Sequence, residues 1–297
     1  MVDWRGVYPA VTTQFRDDFS LDLEATSKVI EALVRDGVAG LVMCGTVGEG
    51  CSLSAKEKRD VIALAVEAAG GKVPVVAGVA EYTPGLAAEL ARDAAKIGVD
   101  ALMVLPAMVY GGNSAEIINH YTTVAKASDL PIMLYNNPPS YKVDLTPQIV
   151  AELSKIETVA AIKESSGAPN RFVDIQNALG DKITLVCGLD DVVMECVALG
   201  AVGWVSGMSN VFPKEGNALF KLAFEGETEK ALEIYKWFMP LLHLDARPDL
   251  VQCIKLCEHL AGRGSYLTRP PRLPLEGTTH AEVVKIFEEA ANNRPVL

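Results

Sequence analysis

Short runs of apolar, often β-branched residues alternate along the chain with longer stretches in which apolar residues recur every three or four positions. The short runs predict β-strands, and the longer stretches predict amphipathic α-helices. Because the runs are apolar throughout, we expect strands that are buried on both faces. Eight such runs can be distinguished, at residues 6–15, 40–45, 73–80, 101–107, 130–137, 159–166, 183–190 and 203–208.

Two of the helical stretches carry recognisable end signals. The first lies within residues 21–37, where Gly37 supplies a C-terminal stop and the apolar residues have helical spacing: Leu23, Val29, Ile30, Leu33 and Val34. The second begins at the sequence SAKE, in which Ser54 and Glu57 have the spacing of a capping box.

Strands that alternate with helices predict a parallel sheet, because every crossover between neighbouring strands then carries a helix. Eight such units favour a closed (β/α)8 TIM barrel, and an open doubly wound sheet is the alternative. After residue 225 the pattern contains helices only. We therefore predict a barrel with the active site at residues 1–225 and a three-helix C-terminal extension packed on it at residues 226–297.

Composition and charge narrow the classes of function. Of the 297 residues 49% are hydrophobic, which is enough for a large core, and the formal net charge of −11 disfavours nucleic acid or anionic lipid as a partner. No apolar window is long enough for a membrane span, and the first residues lack the pattern of a secretion signal. We expect a cytoplasmic protein.

The six cysteines form no CxxC pair, which disfavours a structural zinc site. Cys253, Cys257 and His259 lie close together in a predicted helix and could suggest a metal site. Buried thiols of a reduced core explain them more simply, so we predict no metal.

Functional groups of such barrels lie at the C-terminal ends of the strands. Polar residues that close the apolar runs are therefore the candidates: Thr46, Tyr135, Asn136, Asn137, Lys163, Ser165, Ser166, Asp190, Asp191 and Ser206.

Lys163 follows four apolar residues in VAAIKESSG, so its amine is expected at the end of a buried strand. An amine in an apolar pocket loses ammonium solvation and can attack a ketone, and the resulting imine is an electron sink. Tyr135 on the preceding strand could move the protons. The alternatives are a lysine that reaches solvent and a tyrosine that only fills the core.

The loop GTVGEG at residues 45–50 has neither a Walker ending nor GxGxxG spacing. Its backbone amides, ahead of the helix that Ser54 opens, could bind a carboxylate. A tight turn that needs glycine is the alternative.

GTVGE, LYNNP and IKESSG, in this order, resemble the dihydrodipicolinate synthase and N-acetylneuraminate lyase family over essentially the whole chain. The resemblance implies a homotetrameric barrel that acts on pyruvate or other 2-oxo acids through a covalent lysine imine, with no metal or organic cofactor. It implies Lys163 as the Schiff-base residue, Tyr135 as proton donor and acceptor, Thr46 and the Val47 amide on the carboxylate, and the Val205 backbone against the substrate.

The substrate-binding set that we predict contains further residues, by their position near these motifs: Gly48, Asn137, Ser140, Tyr141, Ser165, Ser166, Asp190 and Ser206.

Two positions depart from the synthases of this family. Met108 stands where they carry a second tyrosine, and Ser140 and Tyr141 stand where an arginine binds the aldehyde's carboxylate. Both departures argue against the lysine-pathway condensation, unless Tyr110 replaces the missing tyrosine.

The sequence YNNPPSYKVD, together with GLDDVV and WFMPLLHLDARPDLVQCIKLCE, resembles the Δ1-pyrroline-4-hydroxy-2-carboxylate deaminases of hydroxyproline catabolism. We therefore predict a hydrolytic deaminase that forms 2,5-dioxopentanoate and ammonia, with Tyr135 removing the C3 proton and Thr46 or Ser166 relaying protons. A 2-keto-3-deoxy sugar acid dehydratase or aldolase is the alternative, and a dihydrodipicolinate synthase is less favoured. A binding protein without catalysis would be expected to lack the three catalytic candidates.

Overall fold

The computed structural model describes residues 2–107 and 109–297. The strands of the described chain are β1 Gly6–Pro9, β2 Leu41–Met43, β3 Val75–Val79, β4 Ala101–Val104, β5 Ile132–Asn136, β6 Val159–Glu164, β7 Thr184–Cys187 and β8 Gly203–Ser206. They pair in parallel in the order β1-β8-β7-β6-β5-β4-β3-β2. A bridge between Ala10 and Val42 joins the two ends, with the Val11 amide 2.9 Å from the Val42 oxygen. The sheet therefore closes, which confirms the predicted TIM barrel and excludes the open sheet.

Helices alternate with the strands, and the chain ends in helices alone. They are α1 Leu23–Arg35, α2 Ala55–Ala69, α3 Pro84–Ile97, α4 Ser114–Ala125, α5 Pro138–Tyr141, α6 Pro147–Leu153, α7 Arg171–Leu179, α8 Val193–Ala198, α9 Pro213–Phe224, α10 Thr228–Asp245, α11 Leu250–Leu260 and α12 Gly277–Asn292.

The predicted helix ends are found in the structure. The Ser54 hydroxyl accepts the Glu57 amide at 3.3 Å and the Glu57 carboxylate accepts the Ser54 amide at 2.8 Å, which is a complete capping box. Gly37 has a φ of 85° directly after α1. The first apolar run is longer than its strand, because residues 10–15 leave β1 and carry buried polar side chains toward the C-terminal helices.

The C-terminal helices share an aromatic core with the barrel. Phe212, just before α9, lies 6.1 Å from Phe238 of α10 and 5.8 Å from Phe287 of α12, measured between ring centres. Packing of this kind holds α10 and α12 against the barrel at Phe212. Within the described residues, no helix is long and apolar enough to cross a bilayer.

Candidate active site

Lys163 and Tyr135 lie side by side inside the barrel, because they are register partners on the adjacent strands β6 and β5. The Lys163 Nζ is 4.1 Å from the centre of the Tyr135 ring. Only 6% of Lys163 and 3% of Tyr135 is exposed, so the amine does not reach bulk water.

Gly188, just after β7, provides the space that the Lys163 side chain occupies. A Cβ atom at this position would lie 2.6 Å from Lys163 Cγ and 2.7 Å from Lys163 Cε. It would also lie 2.1 Å from the Ser165 hydroxyl. Such distances are too short for any side chain, so glycine is required here by space and not by backbone conformation.

The loop at residues 45–50 turns directly above the end of β2. Among the described residues, no protein acceptor lies on the amides of Thr46 and Val47. Gly48 lies against the backbone, because a Cβ there would be 2.8 Å from the Val11 carbonyl oxygen, and its own carbonyl accepts the Thr13 hydroxyl at 2.7 Å. The loop thus offers two amide donors, which is a suitable arrangement for a carboxylate.

Tyr141 contributes a second tyrosine hydroxyl to this loop. Its hydroxyl is hydrogen-bonded to the Thr46 hydroxyl, and its ring meets the Tyr135 ring edge-on with the centres 5.7 Å apart. Burial, and the nearby Tyr135, raise the pKa of Tyr141 well above its ordinary value, so it stays protonated. The Asn137 amide donates to the Tyr135 hydroxyl at 3.1 Å.

Tyr110 does not replace the second tyrosine that the synthases carry. It is 66% exposed, and its hydroxyl lies 3.5 Å from the Glu116 carboxylate. Met108, where the predicted departure falls, lies outside the described residues. Within the described chain, the second tyrosine at Thr46 is therefore Tyr141 of the same chain.

These side chains surround a small cavity of about 40 Å³. Seven residues of the predicted site line it: Thr46, Val47, Tyr135, Asn137, Ser140, Lys163 and Val205. Other lining residues were not predicted as site residues from the sequence: Ala10, Gly45, Met103, Gly188, Leu189, Gly207, Asp245 and Leu250.

Four predicted site residues have their polar groups engaged away from the cavity. The Ser165 hydroxyl donates to the Gly188 carbonyl at 2.8 Å, and the Ser166 amide donates to the Glu164 carboxylate at 2.7 Å. The Ser206 hydroxyl donates to the Asp190 carboxylate at 3.2 Å. Together with Gly48, which packs on the backbone, these residues shape the walls behind the cavity.

Asp190 stabilises the turn after β8 through hydrogen bonds. Its carboxylate accepts the Trp204 indole at 2.9 Å and the amides of Met208 at 2.7 Å and Gly207 at 3.3 Å. Asp245, the last residue of α10, accepts the Asp190 amide at 3.4 Å and lines the cavity with Lys163. Burial raises the pKa of the Asp245 carboxyl to about 6, against the opposing effect of the Lys163 charge.

The cysteine and histidine group considered from the sequence is not arranged as a metal site. Cys253 and Cys257 are buried in α11, and His259 is exposed. In the ranges 2–107 and 109–297, no cluster of three or more metal-ligating side chains is found.

The chain matches the family that its motifs predict. Residues 3–290 match the model of the dihydrodipicolinate synthetase family. The chain belongs to this family. The predicted family resemblance and the class of imine-forming lyase are therefore confirmed, and with them the expectation that catalysis uses a covalent lysine imine without an external cofactor.

Several relatives are similar over nearly their full length. A 4-hydroxy-tetrahydrodipicolinate synthase from Methanothrix thermoacetophila is 34% identical, covering 97% of this chain and 98% of the relative. One from Methanosarcina barkeri is 33% identical, covering 94% and 96%. The crystal structure of dihydrodipicolinate synthase from Aquifex aeolicus has a TM-score of 0.93 and 28% identity, covering 98% of this chain and 99% of that one.

A prophage protein of the dihydrodipicolinic acid synthase family from E. coli K12, solved in complex with pyruvate, has a TM-score of 0.92 and 27% identity, covering 97% and 99%.

The predicted activity is corrected by these relatives. Chains that are 30–34% identical carry the name 4-hydroxy-tetrahydrodipicolinate synthase, so the prediction of a hydroxyproline-pathway deaminase is wrong. The motifs used for that prediction lie at the end of β5 and in α5, directly after β7, and in α10 and α11. They shape the surroundings of the reaction centre, and the same fold can carry different activities.

Proposed function

We propose that the protein forms an imine between Lys163 and pyruvate and adds the resulting enamine to an aldehyde, as a 4-hydroxy-tetrahydrodipicolinate synthase. The observation that carries this proposal is the buried Lys163 amine, 4.1 Å from the centre of the Tyr135 ring. The names of the relatives, and the pyruvate complex of a similar barrel, support the same donor substrate.

The donor half of the reaction uses groups that line the cavity. The pyruvate carboxylate binds the free amides of Thr46 and Val47, which places its C2 carbonyl toward the Lys163 amine. The imine acidifies the methyl group at C3, because the protonated nitrogen accepts the electrons of the broken C–H bond. Tyr135 moves the C3 proton, and the Thr46 hydroxyl passes it on to Tyr141.

The acceptor half follows from the product that gives the relatives their name. Its skeleton has seven carbons, of which pyruvate supplies three, so the aldehyde is the four-carbon amino acid aldehyde, aspartate semialdehyde. The enamine carbon attacks the aldehyde, and the amine of the aldehyde then closes the ring. We propose that this substrate enters past Ser140, which is exposed and lines the cavity, and past the neighbouring Tyr141 of α5.

The assembly and location are part of the same proposal. We propose a homotetramer in the cytoplasm, as the family resemblance suggests. We also propose that residues 226–297 act as part of the catalytic barrel unit, because Asp245 and Leu250 line its cavity.

Borohydride trapping tests the donor half. Reduction in the presence of pyruvate should add the mass of one reduced adduct to the peptide with Lys163, and a Lys163→Ala variant should gain none. Lys155→Ala is the matched control, since this lysine lies 2.6 Å from Glu152 on the surface. Trapping at another lysine would contradict the proposal.

The acceptor half is tested by mixing the protein with pyruvate and aspartate semialdehyde and following the seven-carbon product by mass spectrometry. Adduct formation without any condensation would refute the synthase activity while leaving the imine in place. Ammonia release from 4-hydroxy-pyrroline-2-carboxylate at a higher rate than condensation would also contradict it.

A further inference from the structure

A carboxyl group from the C-terminal extension faces the Schiff-base lysine. Asp245 is the last residue of α10, is only 8% exposed, and lines the same 40 Å³ cavity as Lys163. Gly207 gives it room, because a Cβ there would lie 2.3 Å from Asp245 Oδ1. The Asp245 carboxyl group is therefore a buried part of the cavity wall.

The hydrogen bonds of Asp190 and Asp245 indicate which of these two neighbouring carboxyl groups carries a proton. Four donors from β8 and the turn after it reach the Asp190 carboxylate: the Trp204 indole, the Ser206 hydroxyl and the amides of Gly207 and Met208. Asp245, in contrast, accepts one long bond of 3.4 Å from the Asp190 amide. Two buried carboxylates so close together are unfavourable when both are ionised. Burial raises the pKa of the Asp190 carboxyl, but hydrogen bonds to both of its oxygens oppose that effect. Asp190 therefore keeps the charge, and the proton of the pair resides on Asp245.

We infer that Asp245 is the acid that drives imine formation at Lys163, an inference that rests on the proposed function. The Lys163 amine adds to C2 of pyruvate, and a proton moves from nitrogen to oxygen to give a neutral carbinolamine. The C2–O bond then breaks as the hydroxyl takes the Asp245 proton and leaves as water. The nitrogen lone pair forms the C=N bond.

The products of this step are an iminium cation and the Asp245 carboxylate beside it. The carboxylate balances the new charge in a buried site, where an unpaired cation would be unfavourable. In the reverse direction it takes a proton from the water that hydrolyses the imine. Asp245 thus acts at nitrogen and C2, whereas Tyr135 acts at C3.

Stopped-flow measurement of imine formation with pyruvate tests the assignment in the full-length protein. Asp245→Asn keeps the shape but has no acid proton, and it should form the imine about 10²-fold more slowly at low pH. The wild-type advantage should shrink as pH rises through about 6, where Asp245 ionises. The measured quantity is the ratio of the wild-type rate to the Asp245→Asn rate. The other charged groups around Asp245 are present in both proteins, so their titration affects both rates: Lys163, Asp190 and Asp191.

Two variants make the result decisive. Asp249→Asn, which removes a carboxylate paired with Arg247 at 2.8 Å outside the cavity, should match the wild type. Asp245→Ala should be slow and should recover in proportion to added formic acid, which a structural role would not produce.

An Asp245→Asn protein that forms the imine at the wild-type rate, or one slowed equally at every pH, would overturn the inference. If the wild type itself formed no imine at Lys163, the proposed function would fail instead.

Discussion

Lys255 of α11 and Glu49 of the loop at residues 45–50 form an ion pair from which solvent is excluded. The Nζ to Oε1 distance is 3.2 Å, neither side chain is exposed, and Lys255 also donates to the Thr13 carbonyl at 2.7 Å. Burial lowers the pKa of Lys255, while the charge on Glu49 opposes that effect. The pair connects the C-terminal extension with the loop that carries Thr46.

Loss of one partner of this pair should be costly. Lys255→Met removes the buried cation of Glu49 and leaves, among the described residues, only Arg272, with 3.9 Å between its guanidinium and the carboxylate. We expect about 3–5 kcal/mol less stability against urea. Pyruvate should also bind more weakly, because the loop loses its support. The double variant Glu49→Gln with Lys255→Met should recover at least half of the lost stability. Strictly additive losses in the double variant would refute the coupling.

The hydroxyl of Tyr141 should matter for proton transfer at C3 and not for imine formation. Tyr141→Phe removes the partner of the Thr46 hydroxyl, and we expect exchange of the pyruvate methyl protons with deuterium to slow about 10²-fold. Proton NMR measures this exchange without any aldehyde. Borohydride trapping at Lys163 should remain.

Tyr110→Phe is the matched control for this experiment, since Tyr110 is an exposed tyrosine away from Thr46. If it slowed the exchange as much as Tyr141→Phe, the relay through Tyr141 would be wrong.

Sequence patterns predicted the barrel well because residues close together in the sequence determine each of its strands and helices. The strands lie within mostly apolar runs, and helices such as α2 combine periodic apolar residues with a cap signal, here Ser54 and Glu57. The strand-end rule also brought Lys163, Tyr135 and Thr46 to one cavity, since parallel strands all end on the same side of a barrel.

The same rule could not find Asp245 or Lys255, because neither follows a strand. Each is a charged residue in an otherwise apolar helix sequence, PLLHLD and CIKLC, and that contrast was the available signal. The contact between Tyr141 and Thr46 was also not predictable, since it depends on how the chain turns in the four residues of α5.

The space at Gly188 should be essential for the position of the reactive amine. Gly188→Ala places a methyl group within 2.7 Å of two atoms of the Lys163 side chain, which must move. We expect the rate of borohydride trapping to fall at least about 10²-fold, since small displacements of a reacting group have effects of this size. Circular dichroism should show a folded barrel.

Gly85→Ala serves as the control, because no atom lies within 4 Å of the added Cβ. Normal trapping in Gly188→Ala would show that the glycine does not position the lysine.

The ion pair of Glu57 with Arg269 should make stability depend on pH at the acid end. Hydrogen bonds from Arg269 lower the pKa of Glu57 from 4.5 to about 2. A carboxyl with a lowered pKa stabilises the fold above its unfolded pKa, and this contribution is lost as pH falls from about 4.5 to about 2. We expect about 1–2 kcal/mol, reduced by partial solvent exposure.

Urea titrations across this pH range would measure the effect. Arg269→Gln should lower stability at neutral pH and flatten the pH dependence below 4.5, and an unchanged slope would contradict the assignment.

Ser140 at the rim of the cavity should limit affinity for the aldehyde. Neither Ser140 nor Tyr141 supplies a cation for the carboxylate of aspartate semialdehyde, so we expect a high KM for this substrate. Ser140→Arg provides a planar, charged donor at the exposed rim, where the long side chain meets no packed core. The KM for aspartate semialdehyde should fall about 10-fold while the KM for pyruvate stays unchanged. Ser140→Gln, which has polar length without charge, should give less than a third of that change. An equal fall for both variants would show that contact area, and not charge, sets the affinity for the aldehyde.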